Sequence, residues 1–251
     1  MKNVAFLIEY DGTNYAGWQI QQNAKTVQGE IQNALLSITK ENCSVIGSGR
    51  TDSSVHAYGQ VANVILSDDF KIPEDKIPVA LNTLLPDNIR IRDAKYVDQD
   101  FHARFDALSR EYEYNLHFSE SVFKQRFSTF YKYPLDRELL ISVAEVFYGK
   151  HDFTSFSKNN PSTKSYICNV EMCEWEVVSD DAVRFHIRAD RFVYGMVRAI
   201  VGACLEVASG GKYSSDLIFA IENPDRRNFI KLAPPNGLIL KQVIYKNEIF
   251  R

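Results

Sequence analysis

The feature that most constrains this fold is a strict two-residue alternation that recurs in three well-separated segments. Val4, Phe6, Ile8 and Tyr10 form the first. Tyr112, Tyr114, Leu116 and Phe118, with Glu113, Asn115 and His117 between them, form the second. Val183, Phe185, Ile187 and Ala189, alternating with Arg184, His186 and Arg188, form the third. Successive strand side chains point to opposite faces, so each segment predicts a strand, and the third has one buried and one basic face. Alternation of this kind favours antiparallel sheet covered by helices on one side. Further strands are predicted over 89–97, 170–178 and 238–245.

Four helices fit between them. Thr26 is placed to cap a helix reaching about Ile38, with Val27, Ile31, Ala34, Leu35 and Ile38 on one stripe. Asp136 caps a second, carrying Leu139, Leu140, Val143, Ala144 and Phe147. A third runs from about Val193 to Val207 and ends at Gly210-Gly211. A short fourth starts at Ser215 and stops before Asn223-Pro224. The class is α+β. The stretch from Asp98 to Ser109 has little periodicity and divides the chain into halves of residues 1–106 and 107–251, a division that 251 residues allow.

Composition excludes several classes. Hydrophobic residues make up 45% and charged residues 24%, the balance of a soluble globular protein, and no apolar run is long enough to span a membrane. The first ten residues alternate like a strand and lack a small-residue cleavage site, so a cytoplasmic protein is expected. Cys43, Cys168, Cys173 and Cys204 form no C-x-x-C pair, so no zinc or redox site is indicated. The net charge of −3 does not argue for nucleic acid, but clusters at Arg90, Arg92 and Lys95, and at Arg184, Arg188, Arg191 and Arg198, could supply local positive surface.

One polar stretch stands out against this background: Gly47-Ser48-Gly49-Arg50-Thr51-Asp52-Ser53-Ser54-Val55-His56-Ala57-Tyr58-Gly59-Gln60. It lies between the apolar runs Val45-Ile46 and Val61–Leu66, which makes it a loop held between strands. Its turn-forming residues let a ligand approach the backbone, and a cation and a carboxylate stand two positions apart at Arg50 and Asp52. An aspartate in such a turn more often caps its own backbone.

The pattern Gly-Arg-Thr-Asp-x-x-Val-His-Ala resembles the signature of the tRNA pseudouridine synthase A family, whose aspartate at that position is catalytic. Six more blocks follow in the family's order. They are Ile8–Gln19, Thr26-Val27-Gln28, Phe101-His102-Ala103-Arg104-Phe105, Tyr112-Glu113-Tyr114, Asp152–Phe156 and Met196–Gly202. There are two departures: Ser53-Ser54 stands where the family carries Ala-Gly, and Gly195 is not what the pattern before Met196 leads one to expect. If the second of the paired positions needs a positive φ, Ser54 carries strain.

The resemblance implies the pseudouridine synthase fold, with two similar halves whose antiparallel sheets join across a central cleft. It implies a homodimer acting on the anticodon stem-loop of tRNA at positions 38 to 40. No cofactor or metal is implied, because the reaction cleaves N1–C1′ of uridine, turns the base and rejoins it through C5 with nothing transferred in. Asp52 takes the catalytic position, as nucleophile at C1′ or as base at C2′. Arg198 matches the arginine that pairs with it, and Tyr112 the tyrosine on the target base. Arg50 is similar to the arginine that extrudes the target nucleotide. Phe101, His102 and Arg104 suit base stacking and phosphate contact. His56 is expected to be structural. Two other classes compete: a silent RNA-binding module, which would tolerate loss of Asp52, and a nucleoside or glycoside hydrolase, which normally needs a second carboxylate.

Overall fold

The structure, a computed structural model, describes residues 1–228 and 231–250. Its elements in chain order are β1 (Lys2–Tyr10), α1 (Val27–Thr39), β2 (Val45–Gly47), β3 (His56–Leu66), α2 (Ile77–Asn82), β4 (Ile89–Val97), β5 (Ala107–His117), β6 (Thr129–Phe130), α3 (Arg137–Val143), β7 (Gly149–Asp152), β8 (Ile167–Ser179), β9 (Ala182–Ala189), α4 (Met196–Ala208), α5 (Ser214–Glu222) and β10 (Leu238–Tyr245). The α+β class holds, with mostly antiparallel pairing. None of the helices among the described residues is long and apolar enough to cross a membrane.

The chain forms two compact units, Met1–Leu108 with Ile239–Arg251, and Ser109–Leu238. The expected division at 106/107 falls close to this boundary, but the expected second half loses its last strand to the first unit. The reason is pairing: β10 runs parallel to β3, with Ile239 opposite His56 and Leu240 opposite Ala57.

In the first unit the strands run in the order β4, β1, β3, β10, and β2 also pairs with β3. β1 is antiparallel to both β3 and β4, so Val4, Phe6 and Ile8 are fully buried, as their alternation predicts. The opposite face of β1 is covered as well, for Asn3 and Ala5 are also buried. What covers it is the stretch before β5. Asn3 Nδ2 donates to the carbonyls of Asp98 (2.9 Å) and Phe101 (2.8 Å). Asn63 on β3 donates to Asn3 Oδ1 at 2.9 Å and accepts from the Ala103 amide at 3.0 Å. Tyr245, at the end of β10, packs on the Phe101 ring at 5.4 Å and donates to Ala103 O at 2.6 Å. α1 starts where expected, with the Thr26 hydroxyl accepting from Gly29 N.

In the second unit β5, β9, β8 and β7 form an antiparallel sheet, and β6 adds to β5 in parallel. β8 changes the parity of its buried residues from Val170 to Cys173 and Trp175, because a bulge lies between Val170 and Met172. β5 departs from simple alternation: Glu111 and Glu113 are buried along with Tyr112 and Tyr114. α4 is buried on nearly every side, as a central core helix must be. It starts at Met196 rather than Val193, since Gly195 before it adopts a left-handed φ of 76°. A side chain there would be strained, which accounts for the unexpected glycine. Asp136 caps α3 by accepting from Leu139 N at 3.0 Å.

The paired amides Asn3 and Asn63 give the first test of this fold. Asn63→Leu leaves Asn3 Oδ1 and the Ala103 amide without partners in the interior, each costing about 1–3 kcal/mol. Urea unfolding is expected to show a midpoint lowered by that combined free energy divided by the slope, with the slope itself unchanged. A midpoint equal to wild type would remove this pair from the account of how residues 98–103 are held.

Candidate functional site

The Gly47–Gln60 motif is a loop over residues 48–55 that leads into β3 at His56, five residues earlier than the apolar run suggests. It is held at both ends. Ser48 N donates to Val61 O at 2.7 Å, Ser48 Oγ to Gln60 Oε1 at 2.7 Å, and Gln60 Nε2 to Gly49 O at 3.1 Å. In the middle, Thr51 is buried, its hydroxyl 2.8 Å from Tyr10 OH and its carbonyl accepting from Trp18 N at 3.1 Å. Asp52, next to it, is half-buried, and its carbonyl accepts from Val55 N at 3.2 Å.

The segment 11–18 lies directly against this loop. A Cβ at Gly17, which has φ of 102°, would stand 2.5 Å from Thr51 O, and one at Gly12 would stand 2.0 Å from Val55 O. Only glycine permits so close an approach. His56 is 2% exposed, with Nδ1 3.1 Å from both the Gly12 amide and Asp11 Oδ1. One ring nitrogen cannot accept from the first and donate to the second. These contacts fix His56 as a structural post between the loop and the Asp11 turn.

Ser54 has φ of 63°, the left-handed conformation that the replaced glycine raised as a possibility. Its amide and its neighbour's hydroxyl are both used: Ser54 N and Ser53 Oγ donate to Tyr15 O at 3.3 and 3.1 Å, and Ser54 Oγ to Thr13 O at 3.3 Å. Arg50 is exposed and has no ion pair among the described residues, so it is not a partner of Asp52.

Phe101, His102 and Arg104 stand in the turn that Asn3, Asn63 and Tyr245 fix. Asn63 lies on β3, so the strand that begins at the end of the motif loop also anchors this turn. Phe101 is packed on Tyr245. His102 Nδ1 accepts from the Arg104 and Phe105 amides at 3.2 and 3.3 Å, which closes the turn. Arg104 is exposed beside the Phe105 ring, which is 73% exposed.

Tyr112 and Arg198 lie in the second unit. Tyr112, on β5 opposite Ile187, is 7% exposed and meets Phe192 edge-on at 5.1 Å. Arg198 is in the first turn of α4, and its Nε donates to Ala233 O at 2.7 Å while Ala233 N returns a bond to Arg198 O at 3.0 Å. The next residue, Pro234, accepts at 2.8 Å from Tyr114 OH, which also meets Thr129 Oγ1. Burial pushes the Tyr114 phenol well above its ordinary range, against the opposing pull of the nearby Arg198 charge, so it stays a donor. Phe192, Ala233 and Pro234 carried no chemical signal in the sequence, because their parts in the site are steric or played by the backbone.

The basic clusters resolve differently. Arg90 donates to Pro86 O, Ile89 O and Asp87; Arg92 faces Glu9; Arg184 donates to Asn115 Oδ1 at 2.8 Å; Arg188 meets Glu171 at 3.2 Å. Most of the charge read as a basic face is therefore balanced locally.

Ser54 offers a direct test of loop strain. A non-glycine residue in the left-handed region costs about 1 kcal/mol. Ser54→Gly is expected to match or exceed the wild-type melting temperature despite losing a weak hydroxyl bond, and Ser54→Val to lower it. A drop with glycine larger than with valine would refute the strain.

Comparison with known proteins bears on the whole chain. The family model for tRNA pseudouridine synthase matches residues 7–106 and 143–246. A tRNA pseudouridine synthase A of Acetivibrio thermocellus is 41% identical, covering 98% of this chain and all of the relative. One from Caldicellulosiruptor saccharolyticus is 40% identical over the same shares, and one from Bacillus pumilus is 38% identical over 96% of this chain and 98% of its own. With matches of that identity running nearly end to end, through both the motif loop and α4, this chain belongs to the tRNA pseudouridine synthase family.

Proposed function

We propose that this protein isomerises uridine to pseudouridine in tRNA, at positions 38 to 40 of the anticodon stem-loop, as a homodimer in the cytoplasm. The observation that carries the reading is the full-length match to relatives named tRNA pseudouridine synthase A, with the motif loop intact. The reaction breaks N1–C1′ and forms C5–C1′, N1 gains the proton that C5 loses, and the RNA mass is unchanged.

Asp52 acts on the ribose, as nucleophile at C1′ or base at C2′. Its support is placement: half-buried, it stands beside a threonine locked by two buried hydrogen bonds, so the carboxylate is held by a rigid backbone. Arg198 serves as the cation for that carboxylate, its fork steered by the bond from Nε to Ala233 O. Tyr112 contacts the target base and assists proton transfer at C5, oriented by Phe192. Arg50, exposed and free of ion pairs among the described residues, takes the place of the extruded base. In the Phe101–Phe105 block Arg104 reaches the RNA backbone, while Phe101 and His102 shape the turn that presents it.

The test is Asp52→Ala against wild type on unmodified tRNA transcript, with pseudouridine read by carbodiimide-block reverse transcription across the anticodon arm. Product at 38 to 40 is expected to fall by at least about 10²-fold, the lower end for an acid–base residue, with tRNA binding retained. Equal product from both proteins would take Asp52 out of the mechanism. Release of free uracil would make the protein a hydrolase.

A further inference from the structure

Outside these residues, the second unit holds a cavity of about 230 Å³ lined by Ser157, Lys158, Asn159 and Arg226. Its two cations have no carboxylate partner among the described residues. The one carboxylate beside them in sequence, Asp225, pairs with Arg227 instead. This contrasts with Arg90, Arg184 and Arg188, whose polar partners are all protein groups.

Each cation is held by its own scaffold. The Lys158 ammonium lies 5.1 Å from the centre of the Tyr194 ring, and its amide donates to Tyr194 O at 2.8 Å. Gly195, left-handed, lies beside this contact: a Cβ there would meet Lys158 Cγ at an ordinary 3.7 Å and Leu232 at a tight 3.3 Å. The Arg226 guanidinium lies 4.4 Å over the Tyr166 ring and its Nη1 reaches Ser157 O at 3.4 Å. Its neighbour Asp225 is tied down by Ser155, fully buried, whose hydroxyl accepts from Asp225 N at 3.0 Å and bonds Ala220 O at 2.9 Å. Two cations ordered on aromatic faces, with an exposed amide at Asn159 between them in the lining, form a ready receptor for a tetrahedral anion. Tyr194 and Gly195 lead directly into α4, so the cavity shares the end of that helix that carries Arg198.

We propose that Lys158, Asn159 and Arg226 form a binding site for a backbone phosphate of the RNA substrate, beside but separate from the residues assigned to the reaction. The proposal rests on the tRNA reading above. It gives the Asp152–Phe156 block a role through Ser155, which ties down the turn that carries Arg226. Binding at this site fixes the register of the RNA strand without reading its bases.

The test compares wild type with Lys158→Gln, Arg226→Gln and the double variant. Affinity for unmodified tRNA is measured across a salt series, together with single-turnover pseudouridine formation at saturating RNA and the melting temperature. Each replaced phosphate contact should make the plot of log K against log[salt] shallower by about 1, while the saturating rate stays at the wild-type value. Should Arg226→Gln fail to fold, Lys158→Gln and Lys158→Glu carry the test, with the charge reversal expected to weaken binding further. An active wild type whose salt slope is unchanged by the double variant would overturn the pocket. Binding of inorganic phosphate with no change in the RNA slope would overturn its assignment to RNA. A wild type that neither binds nor modifies tRNA would instead remove the reading on which the pocket rests.

Discussion

Thr51 is the residue on which the motif loop depends. Its hydroxyl meets Tyr10 OH and its carbonyl takes the Trp18 amide, both inside the first unit. A buried hydrogen bond nets only about 1 kcal/mol, but an orphaned buried partner costs about 1–3 kcal/mol, so these contacts are obligatory once the loop is packed. The position of Asp52 is therefore decided by its neighbour's bonds rather than its own. Gly12 and Gly17 extend this, because they let segment 11–18 press onto the loop backbone. A loop that is irregular in conformation is thus as well fixed as the strands beside it.

The second unit fixes Arg198 by a comparable route. Tyr114, in the core, keeps its proton because burial outweighs the nearby positive charge, and it donates to Pro234 O. Asn236 adds bonds to Gln125 O and Ser128 O and receives one from Thr129 Oγ1. The strap from Ala233 to Asn236 is thereby pinned, and it is this strap that holds the Arg198 side chain and main chain. A tyrosine with no chemical task of its own sets the geometry of an arginine that has one in the proposed reaction.

Much of this was legible in the sequence where a local rule decides the outcome. Thr26 and Asp136 cap helices because short polar side chains do so, and β4 and β10 begin and end where their apolar periods do. The loop motif was visible as turn chemistry between apolar runs, and the positive φ of Ser54 was foreshadowed by the glycine it replaces. What was not legible depended on distant partners. The polar residues of β1 and β5 carried no sign of burial, but Asn3 is paired with Asn63, and Glu111 and Glu113 are buried. Charge clusters overstated the basic surface, because pairs such as Arg188 with Glu171 form only across strands. Phe192 and Ala233 could not be found at all, since an edge-on ring and a carbonyl leave no mark in composition.

The parallel contact of β10 with β3 has a consequence for how the protein is made. His56 and Ala57, the last residues of the family signature, gain their neighbours Ile239 and Leu240 only after the whole second unit has left the ribosome. At about 5–20 residues per second, that wait is on the order of ten seconds or more. During it, β3 offers an open edge where the motif loop ends, and the nascent first unit lacks a strand. The chain order thus delays completion of the motif's supporting sheet until the second unit has been made.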